Sequence, residues 1–247
     1  MCQLSSVIMF LFLGLTGFAC ATEVQPPIHT PTSSIEPTSP PATSTKTHTP
    51  TSAIPTSPDV IVTVPRLPIG LPRGEGTYDC KHWGGWIDAD RDCQNTRAEV
   101  LIDESLGPVG FTDGRECVVV SGRWLAPYTG IVIGNAGELD IDHMVPLANA
   151  HRSGGWAWTS QEKKNYANSQ SFDGHLIAVT ASANRSKGAR GPETWRPPDA
   201  NHWCDYAINW IVVKNTWDLT ATNDEWNALT EMLETCPGKL VISRDTQ

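Results

Sequence analysis

The segment Glu138-Leu-Asp-Ile-Asp-His-Met-Val-Pro-Leu147 places two carboxylates and a histidine in an otherwise apolar stretch. Alternation along a strand puts Asp140 and Asp142 on one face and directs His143 to the other, near the strand end. Burying such groups is costly unless they are paired or bind a metal. The segment therefore predicts a buried strand that carries a chemical site, with a purely structural Asp-His hydrogen bond as the alternative.

A second polar segment, Ala183-Asn-Arg-Ser-Lys-Gly188, follows later in the chain. Asn184 offers a neutral oxygen ligand, and Arg185 and Lys187 offer positive charge. One carboxylate, one amide oxygen and several waters suit a hard cation such as Mg²⁺. A histidine near its reference pKa of ~6.5 can act as a general base at neutral pH. Together these groups are suited to hydrolysis of a phosphodiester by water.

The order of three segments carries a family resemblance. Asp140-Ile-Asp-His-Met-Val-Pro-Leu147, Phe172-Asp-Gly-His-Leu-Ile-Ala-Val179 and Ala183-Asn-Arg-Ser-Lys-Gly188 resemble the HNH endonuclease signature of ββα-metal nucleases. The sequence is most similar to secreted bacterial members of the group that includes the C-terminal nuclease domain of GmrSD-type restriction enzymes. Further matching segments are Asp92-Cys-Gln-Asn-Thr-Arg97, Gly122-Arg-Trp-Leu-Ala-Pro-Tyr-Thr-Gly130 and Thr194-Trp-Arg-Pro197. The resemblance covers roughly residues 80–236.

This resemblance implies a role for each residue of the motif. His143 becomes the general base that activates water, and Asp142 and Asn184 become ligands of one divalent cation, Mg²⁺ or alternatively Mn²⁺. His175 stands where the family usually has an asparagine that orients the catalytic histidine. We expect His175 to keep that role in the catalytic group. A metal-site role and a histidine without any role are the alternatives for this position.

Contacts to the substrate are expected from cations and aromatic side chains. Arg97, Arg185 and Lys187 are candidates for binding phosphate, with a salt bridge or a helix cap as the alternative for Arg97 and Lys187. Trp156 and Trp158 either stack on bases or pack beneath their loop. DNA is the expected substrate and RNA the alternative, and no obligate protein partner is evident.

The N-terminal region has the composition of an exported protein. Val7 to Leu15 is an apolar run followed by Ala19-Cys-Ala21, which predicts a signal peptide over residues 1–21. Cys20 leaves lipid attachment open, so the protein is expected to be secreted or extracytoplasmic, with a lipid anchor as one alternative. Residues 22–65 contain 10 Pro, 11 Thr and 6 Ser, too few apolar groups for a core. We predict a disordered linker over 22–72 and a nuclease domain over 73–247.

Five cysteines follow the linker, and export makes disulfides the default. Cys204 opens one helical pattern, and a second pattern begins with a capping box at Thr222 and ends at Cys236. Two antiparallel helices would bring these cysteines together. Cys93 and Cys117 would close a loop around a hairpin. Cys80 is left over and is expected to be unpaired, with a bond to another chain or an exchange with one of these pairs as the alternatives.

Strands and helices alternate without a regular βαβ rhythm, which predicts an α+β fold: a ββα-metal core with a short hairpin, flanking helices and a C-terminal helix pair. The chain has 247 residues and a formal net charge of −9. That charge argues against a basic, histone-like binder and mildly favours the alternative function, a secreted Trp-rich module that binds carbohydrate or a cell surface. The order of the motifs favours the nuclease.

Overall fold

The computed structural model describes residues 61–243 of the chain. Its strands are β1 (Ile61–Pro65), β2 (Gly110–Phe111), β3 (Val119–Ala126), β4 (Ile131–Asn135), β5 (Leu139–His143), β6 (Leu176–Thr180) and β7 (Lys239–Ser243). Its α-helices are α1 (Thr96–Asp103), α2 (Leu147–Arg152), α3 (Ser160–Ala167), α4 (Ala181–Lys187), α5 (Trp203–Thr216) and α6 (Asn223–Leu233). None of the helices in this range is both long and apolar enough to cross a bilayer. The mixed composition confirms the predicted α+β class.

A strand pair followed directly by a helix lies at the centre. β5 and β6 are antiparallel, with Leu139 opposite Thr180 and His143 opposite Leu176. All five residues of β6 are buried, as expected for a short apolar strand between two layers. Thr180 caps α4, because its side chain accepts a hydrogen bond from the amide of Ala183. This tight connection holds α4 against the strand that carries His143.

A separate antiparallel sheet, in the order β2-β3-β4, packs beside this centre. Trp124 of β3 is fully buried, and its indole Nε1 donates to the Leu101 carbonyl of α1 at 2.7 Å. The pairing satisfies the indole N–H that burial would otherwise leave without a partner. The sheet and α1 therefore form one wall of the fold.

The C-terminal helices meet as the sequence predicted. Both halves of the capping box between Thr222 and Glu225 are formed at the start of α6. Disulfides join Cys204 to Cys236 and Cys93 to Cys117, which confirms both expected pairs. Cys80 also takes part in a disulfide, so the expectation that it is unpaired is wrong.

The last part of the predicted linker belongs to the fold. β1 pairs in parallel with β7, and the side chains of Val64 and Leu67 are buried in the main core. Within the described residues, ordered structure is therefore present from residue 61 rather than from residue 73. Val64, in the short run of β-branched residues before Pro65, supplies the buried contact that the Pro/Thr composition obscured. The predicted signal peptide and residues 22–60 of the linker lie outside the described residues.

Candidate active site

The end of β5, the start of α2 and α4 with the residues just after it line a cavity of about 310 Å³. Asp142, His143, Asn184 and Arg185 all line it. Asp142 and His143 come from the last two positions of β5, and Asn184 and Arg185 come from the middle of α4. The structure thus brings together four of the residues that the motif singled out.

His143 is held at one ring nitrogen. Its Nε2 lies 2.9 Å from the carbonyl oxygen of Ala167. Because a carbonyl only accepts, we assign the proton to Nε2, which leaves the lone pair on Nδ1. Burial, with a smaller contribution from nearby His175, lowers the pKa of His143 to about 3. The ring is therefore neutral at pH 7 with an unprotonated Nδ1, and burial makes it a weaker base than an exposed histidine.

His175 lies behind His143 and outside the residues that line the cavity. Its Nε2 donates to the carbonyl of Tyr166 at 2.8 Å, and burial lowers its pKa to about 4. Its own carbonyl accepts a hydrogen bond from the amide of Met144. His175 is thus bonded to the end of α3 and to the residue after His143. This placement suits the orienting role that the resemblance implied, without contact to a substrate.

Asp142 forms a buried ion pair with Lys187. Asp142 Oδ2 accepts from Lys187 Nζ at 2.5 Å and from the Tyr128 hydroxyl at 2.6 Å. Lys187 Nζ also donates to the carbonyls of His143 and Met144, at 2.9 and 2.8 Å. Burial raises the pKa of Asp142 and lowers that of Lys187, and the attraction between the two charges opposes both shifts.

These contacts change the assignment of Lys187. Its side chain has no solvent exposure, and the three protons of the ammonium are used by the carboxylate and the two carbonyls. The structure therefore directs Lys187 inward, and a phosphate in the cavity cannot reach it. The salt bridge that the sequence left as the alternative is the arrangement observed.

Arg97 is also turned to the protein interior. One terminal nitrogen of its guanidinium donates to the carbonyls of Ala136 and Leu139, each at 2.9 Å. These bonds hold the chain where β5 begins, and Arg97 is not among the residues that line the cavity. Arg185, in contrast, is exposed on the cavity wall. Of the three cations proposed for phosphate, Arg185 is the one that the structure places in contact with the cavity.

Oxygen atoms remain for a divalent cation. Asp142 uses Oδ2 for Lys187 and Tyr128, and Asn184 donates its Nδ2 to Asp140 at 3.2 Å. Within residues 61–243, no hydrogen-bond donor reaches Asp142 Oδ1 or Asn184 Oδ1. Asp142 and Asn184 line one cavity, and a carboxylate with an amide oxygen is a ligand set that suits Mg²⁺ or Mn²⁺, which take hard oxygen ligands and keep several waters.

The tryptophans mostly serve packing. Trp210 and Trp226 are buried, as predicted, and Trp158 packs edge-on or tilted against three other aromatic rings. Trp156 is 44% exposed but is not part of the cavity wall. All ten tryptophans lie within residues 61–243. In this range they do not form a flat, exposed aromatic surface on which a sugar or a base could stack.

Three side chains near the site were missed by sequence reasoning. Tyr128 bonds to Asp142, and Trp86 and Tyr166 lie nearly parallel to the His143 ring. Tyr128 is part of the Arg123-Trp-Leu-Ala-Pro-Tyr-Thr-Gly130 stretch that contributed to the resemblance, and that was its available signal. Trp86 and Tyr166 carried no comparable signal, because aromatic residues most often pack in a core.

Known proteins with similar sequences indicate the family of this chain. Residues 97–232 match the family described as GmrSD restriction endonucleases, C-terminal domain. The chain belongs to this family. A relative in Arthroderma benhamiae, described as an uncharacterized secreted protein, is 41% identical over 189 residues, which cover 74% of this chain and 90% of the relative. No solved structure matches the chain.

The GmrSD C-terminal domain match begins within α1, ends within α6 and includes both His143 and Asn184. The family resemblance drawn from the motifs is therefore confirmed. At the level of the family, the match indicates a nuclease-like role and a nucleic-acid substrate.

Proposed function

We propose that this chain is an exported, metal-dependent endonuclease that hydrolyses phosphodiester bonds of nucleic acid with His143 as its general base. One observation carries the proposal. His143 donates its Nε2 proton to the Ala167 carbonyl, which leaves the lone pair on Nδ1, and His143 lines the same cavity as Asp142 and Asn184. Membership of the GmrSD C-terminal domain family supports the reaction class.

The proposed step moves one proton and exchanges one bond. Nδ1 of His143 takes a proton from water as the water oxygen bonds to phosphorus, and the bond from phosphorus to the leaving 3′-oxygen breaks. The leaving oxygen takes a proton from solvent, and the imidazolium later returns its proton to solvent. General-base catalysis of this kind contributes about 10²–10⁴ in rate. A divalent cation held by Asp142 and Asn184 would stabilise the charge that develops on the leaving oxygen.

The substrate is expected to meet the cavity through its phosphates. Arg185 is exposed on the cavity wall and can form a charge-assisted, bidentate contact with a phosphate. Arg185 supplies positive charge locally at the cavity, although the whole chain has a formal net charge of −9. We propose DNA as the substrate, with RNA as the alternative that the assay separates.

Export is proposed on two grounds. The Arthroderma benhamiae relative is described as secreted, and the disulfides Cys93–Cys117 and Cys204–Cys236 are typical of oxidising compartments. Both agree with the signal peptide predicted over residues 1–21. Lipid attachment at Cys20 stays a prediction, since that residue lies outside the described part of the chain.

Cleavage of supercoiled plasmid, single-stranded DNA and RNA tests the proposal. We expect Mg²⁺-dependent cleavage that EDTA abolishes, and a loss of at least about 10² in rate for His143→Ala. His82→Ala is the matched control, because His82 is exposed and lies outside the cavity wall. Unchanged cleavage by His143→Ala would remove the general-base assignment.

The metal ligands are tested separately from the base. Asn184→Ala should weaken Mn²⁺ binding measured by calorimetry, and excess Mg²⁺ should partly restore its cleavage. His143→Ala should bind Mn²⁺ with unchanged affinity. Equal loss of metal affinity in both variants would make His143 a ligand instead of a base.

A further inference from the structure

Two aromatic rings lie nearly parallel to the imidazole of His143. The Trp86 ring lies 5.4 Å away, centroid to centroid, and is tilted by 12°. The Tyr166 ring lies 6.3 Å away and is tilted by 10°. Rings held this close to parallel restrict tilting of the imidazole out of its plane, and the Nε2 bond to Ala167 restricts rotation within it. The contacts together define the direction of the Nδ1 lone pair.

Three consecutive residues at the end of α3 build this arrangement. Tyr166 supplies a ring, and Ala167 supplies the carbonyl that accepts from His143. The third, Asn168, reaches the segment that carries Trp86. Its Nδ2 donates to the Gly85 carbonyl at 3.2 Å and its Oδ1 accepts from the Ile87 amide at 3.1 Å. The peptide groups on both sides of Trp86 are therefore tied to the side chain of Asn168.

We propose that Trp86 is a positioning residue for the base His143, and that Asn168 holds Trp86 in place. The kinetic part of this inference rests on the proposed function. Trp86 lines a small recess of about 30 Å³ shared with His143 and is not among the residues that line the larger cavity. It therefore acts through His143 and not through contact with the substrate.

Misplacing a reacting group by about 1 Å can lower a rate by about 10². We expect Trp86→Ala to lower kcat by about tenfold or more while KM stays within about twofold. Trp86→Phe, which keeps an aromatic face, should recover most of kcat. Asn168→Ala should reproduce the Trp86→Ala pattern in a weaker form, because the ring remains but its backbone is released.

Trp203→Ala is the matched control for these measurements. Trp203 is a half-buried indole that packs on the core and bonds to the Pro197 carbonyl, so its loss tests general destabilisation. We expect its kcat to stay near that of the wild type below the unfolding temperature. Wild-type kcat in Trp86→Ala, or a change confined to KM, would overturn the positioning role.

A second readout does not depend on catalysis. In carbon-13-labelled histidine spectra, ring currents should move the His143 Cε1–H signal upfield of the signal of exposed His82, with assignment by its loss in His143→Ala. Trp86→Ala should move the signal back toward that of His82. Because Trp86→Ala removes the ring current itself, Asn168→Ala, which keeps the indole, decides the positioning role: its signal should also move, and an unmoved signal in Asn168→Ala would show that Asn168 does not hold Trp86 against the imidazole. A wild type without any cleavage would refute the proposed function, and this spectrum would still decide the inference.

Discussion

The structure contains two buried lysine–carboxylate pairs, one beside the candidate site and one away from it. Lys187 pairs with Asp142 next to the cavity, and Lys214 pairs with Glu225 between α5 and α6, each at 2.5 Å. Both lysines have no solvent exposure. Both ammonium groups lie within 6 Å of the ring centre of Trp210, at 5.7 and 5.9 Å. In chemistry and burial the two pairs are nearly identical.

The remaining contacts of each lysine separate them. Lys187 donates to the carbonyls of His143 and Met144, the backbone that presents the proposed base. Lys214 donates to the Ser153 hydroxyl and the Thr220 carbonyl, which join α2 to the loop before α6. The same ion pair therefore supports the site in one place and the scaffold in the other. Residue type and burial do not show which pair supports the site. The backbone carbonyls to which each lysine donates do show it.

The largest effect is expected from breaking the pair beside the cavity. Lys187→Met leaves the Asp142 carboxylate buried without its counter-ion, which should lower the free energy of unfolding by about 3–5 kcal/mol. It also releases the carbonyl of His143, so cleavage should fall by about 10² or more below the unfolding temperature. Urea unfolding and plasmid cleavage on the same preparation measure both effects. Full activity in a folded Lys187→Met protein would contradict the supporting role.

The matched change in the scaffold pair should separate stability from activity. Lys214→Met should cost a similar amount of stability, about 3–5 kcal/mol, because Glu225 is then buried without its cation. Cleavage by the folded fraction should stay within about threefold of wild type, since Lys214 does not bond to the His143 backbone. A loss of activity as large as in Lys187→Met would erase the distinction between the pairs.

Removing both charges of the Lys214–Glu225 pair tests whether the unpaired carboxylate causes the loss of stability in Lys214→Met. Lys214→Met combined with Glu225→Gln keeps an amide oxygen for the Trp210 Nε1 donor, which now bonds to Glu225 at 2.6 Å. The double variant should be more stable than Lys214→Met alone, because no buried carboxylate is left unpaired. If the double variant and Lys214→Met unfold at equal urea concentrations, the charge on Glu225 is not the source of the stability lost in Lys214→Met.

The smallest effect concerns a carboxylate for which the described residues offer no ion-pair partner. Glu104 accepts from the Ala178 amide at 2.8 Å, and burial together with Asp103 and Asp173 raises its pKa to about 7. The folded protein thus binds this proton more tightly than the unfolded chain. The resulting stabilisation is complete below the unfolded pKa of about 4.3 and is lost as the pH rises through 7.

Glu104→Gln should therefore flatten the pH dependence of stability. Because Glu104 is only half-buried, we expect wild type to lose about 1–2 kcal/mol through this group between pH 5 and pH 8. The variant should lose correspondingly less in urea unfolding at the two pH values. Parallel losses in both proteins would show that Glu104 titrates normally.

The candidate site was predictable where polar groups interrupt apolar periodicity. His143 in an apolar strand and Asn184 in a short helix after the next strand were identified from order and spacing, and both line the cavity. The pairs Cys93–Cys117 and Cys204–Cys236 were also predictable, because loop closure and helix length restrict which cysteines can meet. Leu67 and β1 were not, since a Pro/Thr-rich composition obscured the short run of β-branched residues.

The sequence by itself determined the α+β class, the strand that carries His143 and the family, because alternation and motif order are local properties of the chain. Only the tertiary structure decided that Lys187 points inward, that Arg97 holds backbone carbonyls, and that Trp86 lies along the imidazole. A cation in a sequence has the same charge whether it meets a phosphate or a buried carboxylate. Its role depends on which distant backbone atoms folding brings within hydrogen-bonding distance, and no spacing along the chain records that.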